Sequence, residues 1–198
     1  MNILITGCAG FIGFHVSKKL LENNKYNIYG IDNINNYYDI RLKKNRLSIL
    51  KKFKNFKFYS FDLSNYNKTL KNFKLNKYKI VIHLAAQAGV RFSITHPSNY
   101  LKDNIIAFFS VIDSARLIKA KHFIAASSSS VYGNNKKFPL TEDSDTSHPL
   151  TFYGATKKSN EVMAYSYSNI YHMPCTLLRF FTVYGPIGRP DMSLFKFV

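Results

Sequence analysis

The sequence predicts an α/β fold of Rossmann type, with a doubly wound parallel sheet covered by helices on both faces. Short apolar runs of strand length alternate with amphipathic segments along the chain, which is the pattern of repeated βαβ units. A glycine-rich turn, G-x-x-G-x-x-G at residues 7–13, follows the first apolar run directly. Such a turn between a strand and a helix is typical of dinucleotide-binding sheets.

Six strands and four helices are expected from hydrophobic periodicity. The Ile80-Val81-Ile82 core of the fourth strand indicates burial on both faces. The predicted strands cover residues 2–6, 26–31, 56–61, 79–83, 122–126 and 175–180. The predicted helices run from Phe11 to about Asn24, through Leu47–Phe53 with their lysines facing water, from Leu101 to Ala115, and through Tyr153 and Lys157 to about Tyr171. Residues 136–149 form a long loop that we expect to border the site.

Charge is concentrated in one part of the chain. The formal net charge is +17, and residues 41–79 hold 13 Lys and Arg against the single acid Asp62. A basic segment of this kind could bind nucleic acid. Solvated lysines on helix faces are the favoured interpretation, because the whole chain is rich in Lys and Asn. We therefore expect no nucleic-acid partner.

The sequence also predicts the compartment. No apolar run approaches the roughly 20 residues that span a bilayer, and Ile3-Leu4-Ile5 is too short for the core of a signal peptide. Cys8 and Cys175 are the only cysteines, which is not a disulfide framework. We expect a cytoplasmic protein with no membrane partner and no metal site.

The glycine turn and Asp32 together predict a dinucleotide site. Gly7, Gly10 and Gly13 let the backbone approach a pyrophosphate at a helix N-terminus, although the turn alone could be an ordinary connection. Asp32 ends the second strand 19 residues after Gly13, where a carboxylate accepts hydrogen bonds from the adenosine ribose. The same carboxylate would repel a 2′-phosphate, which favours NAD over NADP. Asp62 either meets the adenine or caps a turn.

Tyr153 and Lys157 form a candidate acid/base pair, because they share a helix face at i and i+4. A free phenol has a pKa of about 10, and the Lys157 ammonium with a positive nicotinamide ring would favour the phenolate. The serines at 127–130, after the fifth strand, supply a hydroxyl for the reacting oxygen. His83 could also act as a base, but a buried structural histidine is favoured. The combination predicts hydride transfer with a nicotinamide cofactor.

These residues match a known family. The chain resembles extended short-chain dehydrogenases/reductases of the NAD-dependent epimerase/dehydratase group, and within it the UDP-glucuronate 4-epimerases. The resemblance covers the full length and is carried by TGCAGFIG (6–13), IDN (31–33), HLAAQAGVR (83–91), SSSSVYG (127–133), YGATK (153–157) and RFFTVYGPIGRPDM (179–192).

The resemblance implies NAD-dependent 4-epimerisation of UDP-glucuronate to UDP-galacturonate through a 4-keto intermediate. Tyr153 would be the base, Lys157 its partner and Ser128 the hydroxyl at the sugar O4. The matched NAD positions are Gly7, Gly10, Phe11, Ile12, Gly13, Asp32, Asn33, Asp62, Leu63, Leu84, Ala85, Ala86, Asn104, Tyr153, Lys157 and Phe180. The matched nucleotide-sugar positions are Arg91, Ser128, Ser129, Ser130, Thr182 and Arg189.

Other functions stay open. Ser130 stands where related dehydratases and decarboxylases carry a Glu, which favours an epimerase over them. UDP-glucose is an alternative substrate. Alternatives of another class are a basic nucleic-acid-binding protein and a non-catalytic NAD-binding remnant.

The resemblance also predicts two parts. Residues 1–178 would form the NAD-binding Rossmann domain, and residues 179–198 only the start of the smaller, C-terminal nucleotide-sugar-binding region. Since family members are longer, we expect this chain to keep some NAD affinity, to lack measurable turnover and to associate through Phe195, Phe197 and Val198. A full-length relative is expected to be a homodimer.

Overall fold

The computed structural model describes residues 1–192 and arranges them around a six-stranded parallel sheet. The spatial order is β3-β2-β1-β4-β5-β6, so the chain reverses its direction of winding between β1 and β4. The strands are β1 Asn2–Thr6, β2 Asn27–Asp32, β3 Phe56–Ser60, β4 Ile80–His83, β5 His122–Ser128 and β6 Cys175–Phe180. The predicted fold class is confirmed, and with it all six strands to within one or two residues at each end.

The end of β5 differs from the prediction in a way that matters for the site. The strand continues through Ser128, so that Ser127 and Ser128 pair with Arg179 and Phe180 of β6. Only Ser129 and Ser130 leave the sheet, in a short 3₁₀ turn, Ser129–Tyr132. The serine run is therefore half strand and half turn rather than a loop.

The helices cover both faces of the sheet. They are α1 Phe11–Leu21, α2 Ile40–Leu50, α3 Tyr66–Asn76, α4 Phe92–Thr95, α5 Pro97–Tyr100, a π-helical segment Leu101–Ile106 that continues as α6 Ala107–Leu117, and α7 Phe152–Tyr171. The sequence missed α3, because it buries only Thr69, Asn72 and Phe73 and so carries almost no apolar stripe. Asn65 marks its start by accepting a hydrogen bond from the Lys68 amide.

Two apolar layers hold the sheet between the helices. On one face Leu4 of β1 packs with Phe108 and Ile112 of α6. On the other face Ile5 packs with Phe14 of α1 and Leu47 of α2. Alternate residues of β1 thus serve opposite cores, which is the reason its sequence is apolar at every position from 3 to 5.

A charged cluster joins the carboxyl ends of β5 and β6 to α7. Glu161 of α7 accepts hydrogen bonds from Ser127 Oγ at 2.6 Å, Arg179 Nε at 2.9 Å and Arg179 Nη2 at 3.0 Å. Burial alone would raise the pKa of Glu161, but the bonds from Arg179 and Ser127 outweigh it and lower that pKa below its ordinary value. The cluster fixes Ser128 against the helix that carries Tyr153.

We predict that Glu161→Gln lowers the free energy of unfolding at pH 7 by about 2 kcal/mol, because an amide nitrogen would then face the Arg179 donors. Since the folded pKa lies below the ordinary 4.5, the Glu161 contribution is fully present above about pH 4.5 and is lost as the pH falls further. Urea unfolding from pH 7 to pH 3 measures the difference. The exposed Glu142→Gln makes the same charge change and should leave stability unaltered; an equal loss in both variants would contradict the prediction.

Candidate active site

A cleft of about 1240 Å³ runs along the carboxyl ends of the strands, where β1 and β4 diverge. It exceeds the roughly 300–1,000 Å³ of most small-molecule sites, so it has room for two ligands side by side. With one exception, all the residues that the resemblance assigns to the catalytic, cofactor and nucleotide-sugar sites line it. They are Gly7, Gly10, Phe11, Ile12, Gly13, Asp32, Asn33, Asp62, Leu63, Leu84, Ala85, Ala86, Arg91, Ser128, Ser129, Ser130, Tyr153, Lys157, Phe180, Thr182 and Arg189.

The glycine turn forms the floor of one end of the cleft. Gly7 has φ +70°, and a Cβ there would lie 2.7 Å from the Ala85 backbone nitrogen. A Cβ on Gly13 would lie 2.1 Å from the Gly7 carbonyl oxygen. The turn can follow this path only with glycine at both positions, and it leaves bare backbone facing the cleft at the start of α1.

Asp32 lies at the end of β2, beside this turn. Its carboxylate is buried and accepts hydrogen bonds from the Ala9 amide at 3.1 Å and the Ile34 amide at 2.8 Å. Burial raises the pKa of Asp32, while the Ile34 amide and the charge of Lys43 oppose the rise. A half-satisfied carboxylate at the cleft wall is suited to accept further hydrogen bonds from a hydroxylated ligand.

Asp62 caps a turn, which is one of the two interpretations that the sequence left open. Its Oδ1 accepts hydrogen bonds from the amide and the hydroxyl of Ser64, so it stabilises the turn after β3. It also lines the cleft, where its Oδ2 pairs with Lys102 Nζ at 2.5 Å.

Tyr153, Lys157 and Ser128 meet on the opposite wall. Thr151 begins α7 by accepting the Gly154 amide, which directs the first turn of the helix at the cleft. Lys157 is buried and donates from Nζ to the Ala126 carbonyl oxygen at 2.8 Å. This bond ties α7 to β5 two residues before Ser128.

Burial dominates the electrostatics of this wall. It raises the pKa of Tyr153, with the Ser128 hydroxyl and the charge of Arg189 opposing the rise. It lowers the pKa of Lys157 to about 8. The expectation that Lys157 and a nicotinamide ring together favour the phenolate concerns the cleft with NAD bound and stays a prediction.

His83 is a structural residue, as the sequence favoured. It is buried, and burial together with the charge of Lys157 lowers its pKa to about 3, so that the ring is neutral. Thr6 Oγ1 accepts the amides of Leu84 and Ala85 and therefore donates its proton to His83 Nδ1, at 2.8 Å. The ring holds β1 and β4 together at the switch point.

Asn104 is the exception among the predicted site residues, since it does not line the cleft. Its Oδ1 accepts the Gln87 amide at 2.8 Å, and its Nδ2 donates to the Gln87 carbonyl at 3.2 Å and to Thr156 Oγ1 at 3.0 Å. With no exposed surface and all its polar atoms paired, Asn104 supports the loop after β4 from behind. The prediction that Asn104 contacts the cofactor directly is therefore corrected: in this structure the residue supports the cleft without lining it.

The sequence missed several residues of the cleft, above all Lys43. It was expected to face water, but it is buried and donates from Nζ to the backbone and side-chain oxygens of Asn35. A signal was present: Lys43, Leu47 and Leu50 lie at i, i+4 and i+7, on one face of α2. Tyr37, Gln87, Asp191 and Met192 also line the cleft unpredicted.

The long loop expected to border the cleft lies elsewhere. Within residues 1–192, no residue of 136–149 lines the cleft. The loop packs behind the wall instead, where Arg179 donates to the Glu142 carbonyl and Lys158 to Thr146.

Arg189 is the principal cation on the remaining side of the cleft. Its guanidinium pairs with both carboxylate oxygens of Asp191, and Oδ2 also accepts the Tyr37 hydroxyl at 3.2 Å. Thr182 lies on the same segment, and Arg91 lies across the cleft at its exposed rim. The proposed nucleotide-sugar region at 179–198 is described only to residue 192. Phe195, Phe197 and Val198, and the association expected through them, lie outside the described residues.

Comparisons with known proteins identify the family. The model of the family described as GDP-mannose 4,6 dehydratase matches residues 4–196. The chain belongs to this family. The predicted resemblance is thereby confirmed.

Individual relatives agree with the family match. Protein CapI of Staphylococcus aureus is 50% identical over all of this chain and 58% of its own length. A UDP-glucuronate 4-epimerase of Thermodesulfobacterium geofontis is 43% identical over 98% of this chain and 60% of its own. The crystal structure of UDP-glucuronic acid 4-epimerase from Bacillus cereus, in complex with UDP-glucuronic acid and NAD, superposes with a TM-score of 0.92 at 38% identity, over 98% of this chain and 61% of that one. The chain thus spans about three fifths of the length of these family members.

Membrane-spanning helices and metal-binding clusters are both absent from residues 1–192. None of the helices there is both long enough and apolar enough to cross a membrane. No group of three or more His, Cys, Asp and Glu side chains in the same range could hold a metal ion.

We predict that Lys157→Met raises the free energy of unfolding at pH 7 by about 1–3 kcal/mol, because a buried ammonium bonded only to a carbonyl costs more than an apolar chain. The gain is complete below pH 8, where folded and unfolded Lys157 are both charged. It shrinks between pH 8 and the ordinary pKa of 10.5, where only the unfolded form is charged. Thermal unfolding across pH 7–10.5 measures it, with the exposed Lys44→Met as the control. A loss of stability specific to Lys157→Met at pH 7 would contradict it.

Proposed function

We propose that this protein is an NAD-dependent UDP-sugar 4-epimerase that interconverts UDP-glucuronate and UDP-galacturonate. One observation carries the proposal: a dinucleotide-type wall and a Tyr-Lys-Ser wall face each other across a single cleft, with Arg189 and Thr182 on its open side. The relatives named above, including one solved with UDP-glucuronic acid and NAD, support the same activity.

The residues present fit NAD. The Gly7–Gly13 turn offers bare backbone where any Cβ would clash, and Asp32 offers a buried carboxylate with capacity for ribose hydroxyls. Asn33, Asp62, Leu63, Leu84, Ala85, Ala86 and Phe180 would complete the cofactor's surroundings. NAD would supply a reversible hydride acceptor for the sugar C4.

The chain's own residues would move the proton. Tyr153 would accept the O4 proton at its phenol oxygen and return it after the sugar has turned over. Burial raises the pKa of Tyr153, so positive charge near the phenol oxygen would favour loss of the phenol's own proton and leave the oxygen able to accept the one from O4. Ser128 would hold O4, and Lys157, fixed by the Ala126 carbonyl, would supply the positive charge.

The acid group distinguishes the sugar. A 4-keto glucuronate is a β-keto acid that loses CO₂ easily, and an epimerase must prevent this loss. Ser129 and Ser130, with no carboxylate among them, offer neutral donors to the sugar's acid group, and Arg189 offers a charge that Asp191 partly neutralises. This lining favours retention of the carboxylate, and so epimerisation over decarboxylation.

We predict that, in a full-length version of the protein, Tyr153→Phe lowers turnover of UDP-glucuronate at least a hundredfold while the Kd for NAD changes less than threefold, because only the proton acceptor is removed. Chromatography of the nucleotide sugars formed from UDP-glucuronate measures both the rate and the product. UDP-galacturonate supports the proposal. A UDP-pentose would show decarboxylation instead, and product from UDP-glucose alone would move the specificity to the neutral sugar.

Asp32→Ala should weaken NAD binding about ten- to a hundredfold, because a charged hydrogen-bond acceptor for the ribose is lost. Calorimetric titration of the 198-residue chain measures it, and Asp145→Ala, which removes an exposed carboxylate bonded only to Ser147, is the control. A titration with DNA in the same buffer tests the alternative class. DNA binding that falls steeply with salt, without NAD binding, would replace the enzyme with a nucleic-acid-binding protein.

We further propose a cytoplasmic homodimer formed through α6 and α7, two neighbouring helices that expose Phe109, Val162 and Tyr165. Apolar side chains of this size on adjacent helices are typical of a helix-to-helix interface. Val162→Glu should halve the mass measured by light scattering, whereas Leu75→Glu, which alters an exposed leucine on α3, should not. A monomeric unsubstituted protein would refute the interface.

A further inference from the structure

Arg46 of α2 has no exposed surface and reaches three separate segments of the chain. Its Nη1 donates to the Ala9 carbonyl at 3.0 Å and to the Tyr38 hydroxyl at 2.6 Å. Its Nη2 donates to the carbonyls of Ile187 at 2.7 Å and Gly188 at 3.0 Å. Four hydrogen bonds from two nitrogens fit the fork of a guanidinium and no other side chain.

Burying the Arg46 guanidinium in this way costs desolvation free energy. No carboxylate among residues 1–192 hydrogen-bonds to Arg46, and its Nε atom is buried with no partner there. A buried cation with neutral partners contributes little to stability, because desolvation offsets most of what its bonds gain. What the side chain does accomplish is to connect segments that are distant in sequence.

This connection joins the dinucleotide turn to the segment that carries Arg189 on the open side of the cleft. Ala9 lies inside the Gly7–Gly13 turn, and Gly188 directly precedes Arg189. The segment 185–191 has little regular structure to hold it, and Ile187 has the unfavourable φ of +52°. His15 adds a second tie to the same segment through the Pro186 carbonyl, at 2.9 Å. The backbone of Arg189 is therefore placed by α1 and α2, and its side chain by Asp191.

We propose that Arg46 is a positioning residue that clamps the segment 185–191 to the dinucleotide turn and thereby sets Arg189 in the cleft before a nucleotide sugar binds. The ligand part of this role rests on the proposed function; the clamp itself does not. Apart from the Tyr38 hydroxyl, the groups that accept hydrogen bonds from Arg46 are backbone carbonyls. Its influence on ligand binding therefore passes through the placement of the backbone.

The clamp is tested without ligand by limited chymotrypsin digestion of the 198-residue chain and its Arg46→Lys variant. Lys keeps the charge but cannot span four acceptors, so the segment should be released and cleavage after Phe181 and Tyr184 should speed up at least tenfold. Arg41→Lys, an exposed change on the same helix, is the control and should cleave like the unsubstituted chain. New cuts spread over core sites such as Phe73 and Phe108 would show general unfolding, and either that pattern or an unchanged rate would overturn the clamp.

A double-mutant cycle on UDP-glucuronate affinity tests whether Arg46 acts through Arg189. Arg46→Lys and Arg189→Ala should each weaken binding about tenfold, and the double variant should weaken it no further than Arg189→Ala alone. Additive losses would overturn the positioning role. Failure of an unsubstituted full-length version to bind UDP-glucuronate would refute the proposed function, and the digestion would still decide the clamp.

Discussion

The close approach of Gly7 to the end of β4 is the constraint on which the site depends. Parallel strands leave the sheet at one edge, and at the switch point the chains after β1 and β4 depart to opposite sides. The Gly7 backbone fits there only because it has no Cβ, which would lie within 3 Å of Ala85 and Leu84. Thr6 and His83 fix the same two strands by side-chain hydrogen bonds just before they part. The open edge of the sheet that results is the floor of the cleft.

The strands were predictable because their signal is local. Each strand shows its apolar run within four to seven residues, and the turn at 7–13 shows its glycines at fixed spacing. The same holds for the cleft residues that follow a strand directly, such as Asp32, Asp62 and Ser128, because the end of a parallel strand marks their place. Helix α3 was not predicted because it packs largely through Thr69 and Asn72 rather than through an apolar stripe.

Residues whose role depends on contacts distant in sequence could not be found in this way. Arg46 bonds to carbonyls 37, 141 and 142 residues away, and a carbonyl acceptor leaves no trace in the sequence. The prediction for Asn104 shows the opposite case. Its position in the motif was recognised, but its side-chain amide already forms hydrogen bonds with Gln87 and Thr156. Pattern can place a residue near a site, but only the hydrogen-bond inventory of its polar atoms shows which of them are free to bind.

The charge of the basic segment divides into two populations with different physics. Lys43 and Arg46 are buried, where each must find oxygen partners because an unpaired cation in a low-dielectric interior is too costly. Lys44, Lys52 and Lys54 are exposed, where water and salt screen them and their positions are loosely constrained. Net charge therefore says little about the function of this segment. Of the thirteen Lys and Arg residues at 41–79, the two that contribute to the cleft and its support are the two that are buried, Lys43 and Arg46.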